Sequence, residues 1–308
     1  MKNKFFLFLV VCMFSTVLSG CRVSNVSKDN NKKVLLTSFT ILEDIVRNIA
    51  GEEFRVESIT KPGMEVHGYK TTPSDLIRGS EAVLFVENGF GLELWSEKFT
   101  SNLNVKRLSI SDYLNPIFIE EDAYKGKPNP HAWISPVRGK LYVDIIVNAL
   151  KDLDPANSSK FEKNGIIFKS KINKIDEDFK LFLNTIEKSK IYLVSCEGAF
   201  SYLANDYGLK EAYLWPVNAE SQVTPKRMAN LINLIKNNDI PSVFCESTVS
   251  SEAQLTVARE SGAKFGGNFY VDSLSSKNGP APTYIDLLNH NLRLIKKGFS
   301  LCYYCTRY

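Results

Sequence analysis

The sequence predicts an α/β protein of two lobes, each with a mainly parallel sheet flanked by helices, joined by one long rigid helix and enclosing a cleft. Two observations predict this fold. Short apolar runs alternate with amphipathic segments in both halves of the chain, a pattern that indicates parallel strands connected by crossover helices. Between the halves, residues 157–188 form a long charged stretch with helical periodicity, about 45 Å in length at about 1.5 Å per residue.

The first half alternates strands and helices from residue 34 onward. Pro62 and Gly63 break the chain into a loop at residues 61–69, and Pro73 lies where a helix tolerates proline, in its first turn. The elements predicted here are strands at residues 34–38, 54–60 and 82–86, and helices at about 41–50, from 73 onward and at 92–99.

The second half repeats this alternation after the long helix, although its sequence does not repeat that of the first half. The elements predicted here are strands at residues 191–195, 211–217, 242–245 and within 264–271, and helices at 199–207, 225–237, 251–261 and 283–297. Each half is therefore expected to form one sheet with helices on its faces.

The N-terminus predicts export. Lys2 and Lys4 precede an apolar run at residues 5–18, which is too short for a spanning helix and is typical of a secretory signal. The string Leu-Ser-Gly-Cys that ends at Cys21 resembles a bacterial lipobox, in which the cysteine becomes the lipidated first residue. An ordinary cleaved signal with a chance cysteine is the alternative. Acyl chains on Cys21 would anchor the protein to a membrane.

Length and composition define the domains that we expect. About 270 residues remain after the signal and tether, which favours two lobes over one core. The formal net charge of +4 gives no indication of a nucleic-acid surface. The expected organisation is a signal peptide at 1–20, a lipid anchor and tether at 21–33, an N-terminal lobe at 34–155, an inter-lobe helix at 156–188, a C-terminal lobe at 189–298 and an atypical tail at 299–308.

Two pairs of cysteines need an explanation. Cys196 and Cys245 each end an apolar run, the expected position of a small buried hydrophobic side chain. Cys302 and Cys305 form a Cys-x-x-Cys pair near the C-terminus, without a second pair nearby to complete a four-ligand zinc site. We expect an exposed tail there, and its two cysteines could be oxidised once the protein has been exported.

Four side chains are candidates for a metal site. His67 and His131 lie in turn-rich loops of the first half, whereas Glu197 and Asp272 follow predicted strands of the second half. Because ligands of open α/β sheets bind beyond the carboxyl ends of strands, each half could direct two side chains into the cleft. Two imidazoles and two carboxylates would neutralise a divalent cation. The remaining histidine, His290, lies mid-helix and is expected to face solvent or a neighbouring helix.

Each candidate also has an ordinary explanation by itself. A loop histidine is commonly a surface residue, a glutamate at a helix start interacts favourably with the helix dipole, and an aspartate after a strand is commonly a cap or turn residue. Residue pattern alone therefore leaves the four-residue site open.

Longer motifs resemble the metal-binding solute-binding proteins, the receptors of bacterial ABC importers for manganese, iron and zinc. The resemblance extends from about residue 33 to 297, and residues 37–41 match the family's opening segment. It implies that His67, His131, Glu197 and Asp272 are the metal ligands and that residues 157–188 are the rigid inter-lobe helix. The motifs are residues 63–80 (GMEVHGYKTTPSDLIRGS), 129–136 (NPHAWISP), 195–225 (SCEGAFSYLANDYGLKEAYLWPVNAESQVTP) and 271–275 (VDSLS).

The resemblance also implies a role and its partners. It implies a non-enzymatic, monomeric receptor outside the cytoplasmic membrane that delivers its cargo to an ABC permease and its ATPase. The tail after Gly298 departs from the family, whose chains usually finish with the closing helix.

The ligand types narrow the cargo. Zinc receptors of the family tend to have a third histidine ligand and a His-rich loop, whereas here Glu197 takes that position and no His-rich tract occurs. Two histidines with two carboxylates form a harder ligand set, which suits Mn²⁺ or Fe²⁺. Zn²⁺ stands above Mn²⁺ in the divalent affinity series. We therefore expect Zn²⁺ to bind in vitro without being the transported cargo.

Three alternatives remain. A zinc receptor of the same family differs only in cargo, and a surface adhesin would use the metal as a structural staple. A metallohydrolase would need an open coordination position on the metal and a general base beside it. Four protein ligands leave little room for the activated water that this chemistry requires.

Overall fold

The computed structural model describes residues 32–101, 103–121, 124–186, 191–217 and 223–300. Across these ranges no helix combines the length and the apolar character that crossing a membrane requires. The predicted signal peptide, the anchor residue Cys21 and the pair Cys302 and Cys305 lie outside the described residues.

The first half forms a four-stranded, fully parallel sheet in the order β2-β1-β3-β4. Helix α1 covers this sheet because its apolar residues recur at helical spacing and are buried. The strands are β1 (Val34–Thr37), β2 (Arg55–Ser58), β3 (Ala82–Glu87) and β4 (Lys106–Ser109), and the helices are α1 (Thr40–Ala50), α2 (Pro73–Glu81), α3 (Ser96–Thr100) and α4 (Pro136–Leu153).

The second half contains two parallel strand pairs, β5 with β6 and β7 with β8. Its strands are β5 (Tyr192–Glu197), β6 (Lys210–Trp215), β7 (Ser242–Glu246) and β8 (Lys264–Phe269), and its helices are α6 (Ser201–Tyr207), α7 (Pro225–Asn237), α8 (Glu252–Ser261) and α9 (Tyr284–Ser300). The predicted α/β class with parallel strands in both halves is therefore confirmed, although the second half forms two strand pairs and not one continuous sheet.

A disulfide joins the two strand pairs. It connects Cys196 of β5 to Cys245 of β7, with 4.7 Å between their Cα atoms. Both residues are fully buried, as predicted. The prediction that they are separate apolar side chains is wrong, because which strands become neighbours depends on tertiary packing and not on either apolar run.

The long helix α5 extends from Ser158 to Leu183, about 39 Å at about 1.5 Å per residue. It packs against α1, α4 and α9, so it contacts elements from both halves of the chain. Its buried face is aromatic and aliphatic, with Phe161, Phe168, Ile172 and Phe179 at helical spacing. The helix ends five residues earlier than the sequence predicted, and residues 184–186 form a turn.

The predicted helix at residues 92–99 is wrong over its first half. The chain turns at residues 90–95, and α3 begins only at Ser96. Gly89, Phe90 and Gly91 have φ angles of +81°, +52° and +77°, a left-handed conformation that a helix cannot continue through. A Cβ at Gly89 would lie 2.1 Å from Ser111 Oγ. The strand β4 and the helix α4 have no counterpart among the predicted elements.

Candidate metal centre

The two loop histidines meet inside the molecule. His67 lies in the turn-rich segment between β2 and α2, and His131 directly precedes a short 3₁₀ helix (Ala132–Ile134) that leads into α4. Their Nε2 atoms are 3.3 Å apart, and their side chains are 3% and 0% exposed. Two imidazoles 64 residues apart in sequence therefore face the same point.

The two carboxylates complete this cluster from the second half. Asp272 Oδ1 lies 3.8 Å from His67 Nε2 and 3.5 Å from His131 Nε2. Glu197 Oε1 lies 3.9 Å and 4.0 Å from the same two atoms. One ligand atom from each of the four residues lies within 4.8 Å of the others. Four donors about 2.1 Å from a shared ion would be about 3.4 Å apart in a tetrahedron, so the spacing fits one cation.

The apolar surroundings keep the imidazoles neutral. Burial lowers the pKa of His67 from 6.5 to about 4, against the opposing effect of Asp272, and lowers the pKa of His131 to about 3. Burial also raises the pKa of Asp272, although the nearby His67 opposes this. Asp272 Oδ1 and His67 Nδ1 are buried without a hydrogen-bond partner among the described residues. Buried polar atoms of this kind need a partner, and a divalent cation would give Asp272 one.

A short segment between β3 and α3 holds both histidine loops. The Asn88 side-chain Nδ2 donates to the carbonyl of Pro130 at 3.0 Å, next to His131. Trp95 Nε1 donates to the carbonyl of Val66 at 2.9 Å, next to His67. The segment between them is itself fixed, because the Glu93 carboxylate accepts bonds from the backbone N–H groups of Asn88 and Gly89 at 2.8 and 3.0 Å. The turn that replaces the predicted helix thus positions two candidate ligands.

Asp272 belongs to the second half by sequence, yet the first half holds its loop. Trp133 Nε1 donates to the carbonyl of Val271 at 2.9 Å, and the backbone N–H of Leu274 donates to Thr40 Oγ1 at 2.9 Å. The backbone N–H of Gly63 donates to Ser273 Oγ at 2.7 Å. These bonds fix Asp272 relative to both histidine loops.

Glu197 is held by the second-half strands. It is the last residue of β5, and its backbone N–H donates to Glu246 Oε2 of β7 at 3.3 Å. Glu246 is completely buried, and this burial raises the pKa of its carboxyl well above the usual range. The disulfide lies one residue before each of these two glutamates, so the strand ends near the site are cross-linked.

The structure places His290 away from this cluster. Its Nε2 lies 3.0 Å from the carbonyl of Asn268, and its ring contacts Tyr270, as expected for a residue that faces a neighbouring element. Sequence reasoning missed the supporting residues Asn88, Trp95 and Glu246, for which no motif gave a signal. Asn129 lies within one of the family motifs but was assigned no role there. Its position two residues before His131 could have indicated that it supports this histidine.

Comparison with a protein family gives one match over nearly the whole described chain. The family described as "Zinc-uptake complex component A periplasmic" matches residues 35–298. All four clustered residues lie within that range.

Individual relatives are named for iron and manganese. The iron-binding protein YfeA of Yersinia pestis is 43% identical over 295 residues, covering 95% of this chain and 95% of that protein. The manganese ABC transporter substrate-binding lipoprotein PsaA of Streptococcus pneumoniae is 31% identical over 303 residues, covering 94% of this chain and 98% of that protein. The chain thus spans nearly the full length of both relatives.

A solved structure supports the same fold. The Mn-bound periplasmic metal-binding protein of Candidatus Liberibacter asiaticus superposes with a TM-score of 0.81 and 39% sequence identity, covering 86% of this chain and 99% of that chain.

Proposed function

The chain belongs to the zinc-uptake component A family of periplasmic metal-binding proteins, and on that basis we propose that it captures Mn²⁺ or Fe²⁺ for an ABC importer through His67, His131, Glu197 and Asp272. This family consists of substrate-binding proteins, a class of receptors and not of enzymes. Relatives of this chain are named as an iron-binding protein and as a manganese ABC transporter substrate-binding lipoprotein, which supports this choice of cargo.

The observation that carries the proposal is the buried four-residue cluster. Its closest contacts between donor atoms range from 3.3 to 4.0 Å, and every member is buried. Two anionic carboxylates and two neutral imidazoles balance the charge of one divalent cation. Without a cation, two carboxylates would lie side by side in an apolar interior, an arrangement that costs free energy.

The ligand set favours manganese or iron as the cargo over zinc. Carboxylate oxygens are hard ligands that suit Mn²⁺ and Fe²⁺, whereas the affinity series places Zn²⁺ above both. The receptor is therefore expected to bind Zn²⁺ in vitro, and the choice of cargo depends on metal availability and on delivery. The family description names zinc, so zinc remains the alternative cargo.

Metal content tests the ligand assignment. The full chain, purified in detergent from a medium with balanced Mn, Fe and Zn, is measured by inductively coupled plasma mass spectrometry. We expect about one manganese or iron per chain, and its loss from a His67→Ala, Glu197→Ala double variant. The matched control is His290→Ala, which removes a histidine outside the cluster and should keep the metal. A double variant that keeps stoichiometric metal would refute the assignment.

Substrate-binding proteins of ABC importers work with a membrane permease and its ATPase, and relatives of this chain are named lipoproteins. We infer that this chain is anchored outside the cytoplasmic membrane by acyl chains on Cys21. Palmitate labelling of the wild-type chain and a Cys21→Ser variant tests the anchor. The wild-type chain should carry the label and sediment with membranes, and a labelled Cys21→Ser variant would contradict the inference.

Release of the metal to the permease depends on which half of the chain holds each candidate ligand. The second-half strand β5 supplies Glu197, whereas bonds from the first half hold His67, His131 and the Asp272 loop. A small displacement of β5 would therefore remove one ligand and open the cluster. The long helix α5 packs against elements of both halves, which restricts such a displacement. We infer that the metal-loaded form docks on the permease and that release needs only this limited movement.

A further inference from the structure

Asn129 makes hydrogen bonds to both halves of the metal centre. It lies two residues before His131 and is 2% exposed. Its Oδ1 lies 2.9 Å from His131 Nδ1 and accepts the backbone N–H of His131 at 3.1 Å. An amide oxygen only accepts hydrogen bonds, so His131 Nδ1 carries the proton and its Nε2 lone pair faces the cluster.

The other end of the same side chain contacts the second half of the protein. Asn129 Nδ2 donates to the carbonyl of Gly198 at 2.6 Å and to Ser201 Oγ at 3.1 Å. Gly198 directly follows Glu197, the ligand candidate at the end of β5. One buried amide thus connects the imidazole of one ligand to the backbone beside another.

This arrangement has a single orientation. An asparagine amide offers two acceptor sites and two donors, and all four have partners here. Turning the amide over would set its NH₂ group against the N–H of His131 and its oxygen against the carbonyl of Gly198. Both contacts would be repulsive, so the network itself determines which end faces His131.

The second-half partners of Asn129 are themselves fixed. Ser201 Oγ donates to Glu211 Oε2 at 2.6 Å, and the backbone N–H of Phe200 donates to Glu211 Oε1 at 2.8 Å. Tyr202 Oη donates to the backbone carbonyl of Asn129 at 2.8 Å. The start of α6 therefore forms a rigid attachment for Asn129.

His67 lacks a comparable support. Its Nδ1 is buried without a hydrogen-bond partner among the described residues, so no hydrogen bond to that atom sets the direction of the ring. The orientation of His131, in contrast, depends on contact between the two halves of the chain.

We propose that Asn129 is a positioning residue that couples the orientation of His131 to the position of Glu197, so that the metal site is complete only while both halves contact this side chain. Separation of the halves breaks the bonds to Gly198 and Ser201, and the amide is then free to turn away from His131. One movement thus removes Glu197 and releases the imidazole of His131. The inference rests on the proposed metal-receptor function.

Three variants of the full chain test it. Asn129→Ala removes both ends of the connection. Asn129→Asp keeps an acceptor towards His131 but sets an oxygen against the carbonyl of Gly198. Ser201→Ala removes only the longer of the two bonds that Nδ2 donates. Release of Mn²⁺ to an excess of chelator is followed after rapid mixing, and the Co²⁺-loaded forms are compared by visible absorption, which reports the ligand geometry.

We expect both Asn129 variants to release Mn²⁺ about 10- to 100-fold faster than the wild-type chain, the range for loss of a residue that supports a metal ligand. The Co²⁺ bands should shift in Asn129→Ala because His131 turns, and should shift less in Ser201→Ala, which keeps the bond from Asn129 Nδ2 to Gly198. Thermal unfolding of the metal-free variants separates this role from a purely structural one, which would lower stability and leave the Co²⁺ bands unchanged.

The outcomes distinguish the two proposals. A wild-type chain that binds no Mn²⁺ refutes the proposed function and this inference together. Wild-type binding with unchanged release and unchanged Co²⁺ bands in both Asn129 variants overturns this inference alone. Faster release in Asn129→Ala that only parallels its loss of thermal stability, without a spectral shift, also overturns it.

Discussion

The disulfide between β5 and β7 should contribute strongly to the stability of the second half. Cys196 and Cys245 are 49 residues apart in sequence. In the chain-entropy description, closing a loop of that length removes about 14 cal/mol/K from the unfolded ensemble, which corresponds to about 4 kcal/mol at 25 °C. Reducing the bond, or replacing both residues in a Cys196→Ala, Cys245→Ala variant, should lower the free energy of unfolding by about this amount.

Urea unfolding of the metal-free full chain, followed by circular dichroism, measures the effect. Oxidised and reduced wild-type protein are compared with the double variant, which also loses the packing of two buried sulfur atoms. A Cys302→Ala, Cys305→Ala variant is the control, because a reductant should destabilise it by as much as the wild-type chain. A reduced protein within about 1 kcal/mol of the oxidised one would refute the loop-closure reasoning.

Three further predictions concern the site and its supports. Asp272→Asn should lower the affinity for Mn²⁺ by more than about 100-fold, because it removes the negative charge of a ligand, whereas loss of a residue that only supports a ligand costs about 10- to 100-fold. Competition calorimetry with a chelator measures the affinity, and an unchanged value would exclude Asp272 as a ligand. His67 should contribute less to the stability of the metal-free fold as the pH falls from about 6.5 to 4, because the unfolded chain protonates it below about 6.5 whereas burial holds its pKa at about 4 in the folded chain. Buried carboxyls act in the opposite direction, since burial raises the pKa of Glu93 and of Glu211 to about 7. Urea midpoints at several pH values are therefore compared between the wild-type chain and His67→Gln, which should gain stability relative to the wild-type chain as the pH falls; a constant difference between the two would contradict the reasoning, and His290→Ala is the control for loss of a histidine outside the cluster. Gly89→Ala should lower the free energy of unfolding by about 1–3 kcal/mol, because its Cβ would lie 2.1 Å from Ser111 Oγ. The matched control is Gly208→Ala, which is also at positive φ but has open space around the added Cβ. Equal thermal midpoints in the two variants would contradict the steric argument.

The supporting contacts of the site were outside the reach of sequence reasoning. The bond from Trp95 to the Val66 carbonyl and the bond from Asn88 to the Pro130 carbonyl join positions 29 and 42 residues apart. No local pattern encodes such pairs, because they arise only when β3, α3 and the histidine loops are packed together. The same holds for the disulfide, whose two cysteines each looked like an ordinary buried residue.

The sequence by itself predicted most of the alternating strands and helices and the long central helix, and it offered four candidate ligands that the family resemblance singled out. Local patterns carry this information, because the period of apolar residues follows from the geometry of the helix and the strand, and a chain with so few histidines restricts the choice of imidazole ligands. Only the tertiary structure decided that residues 90–95 form a turn, that Asp272 is held by the first half, and that Asn129 connects His131 with Gly198. The physical reason is that each of these features depends on hydrogen bonds between segments distant in sequence, whose energies exist only once both halves have folded against each other.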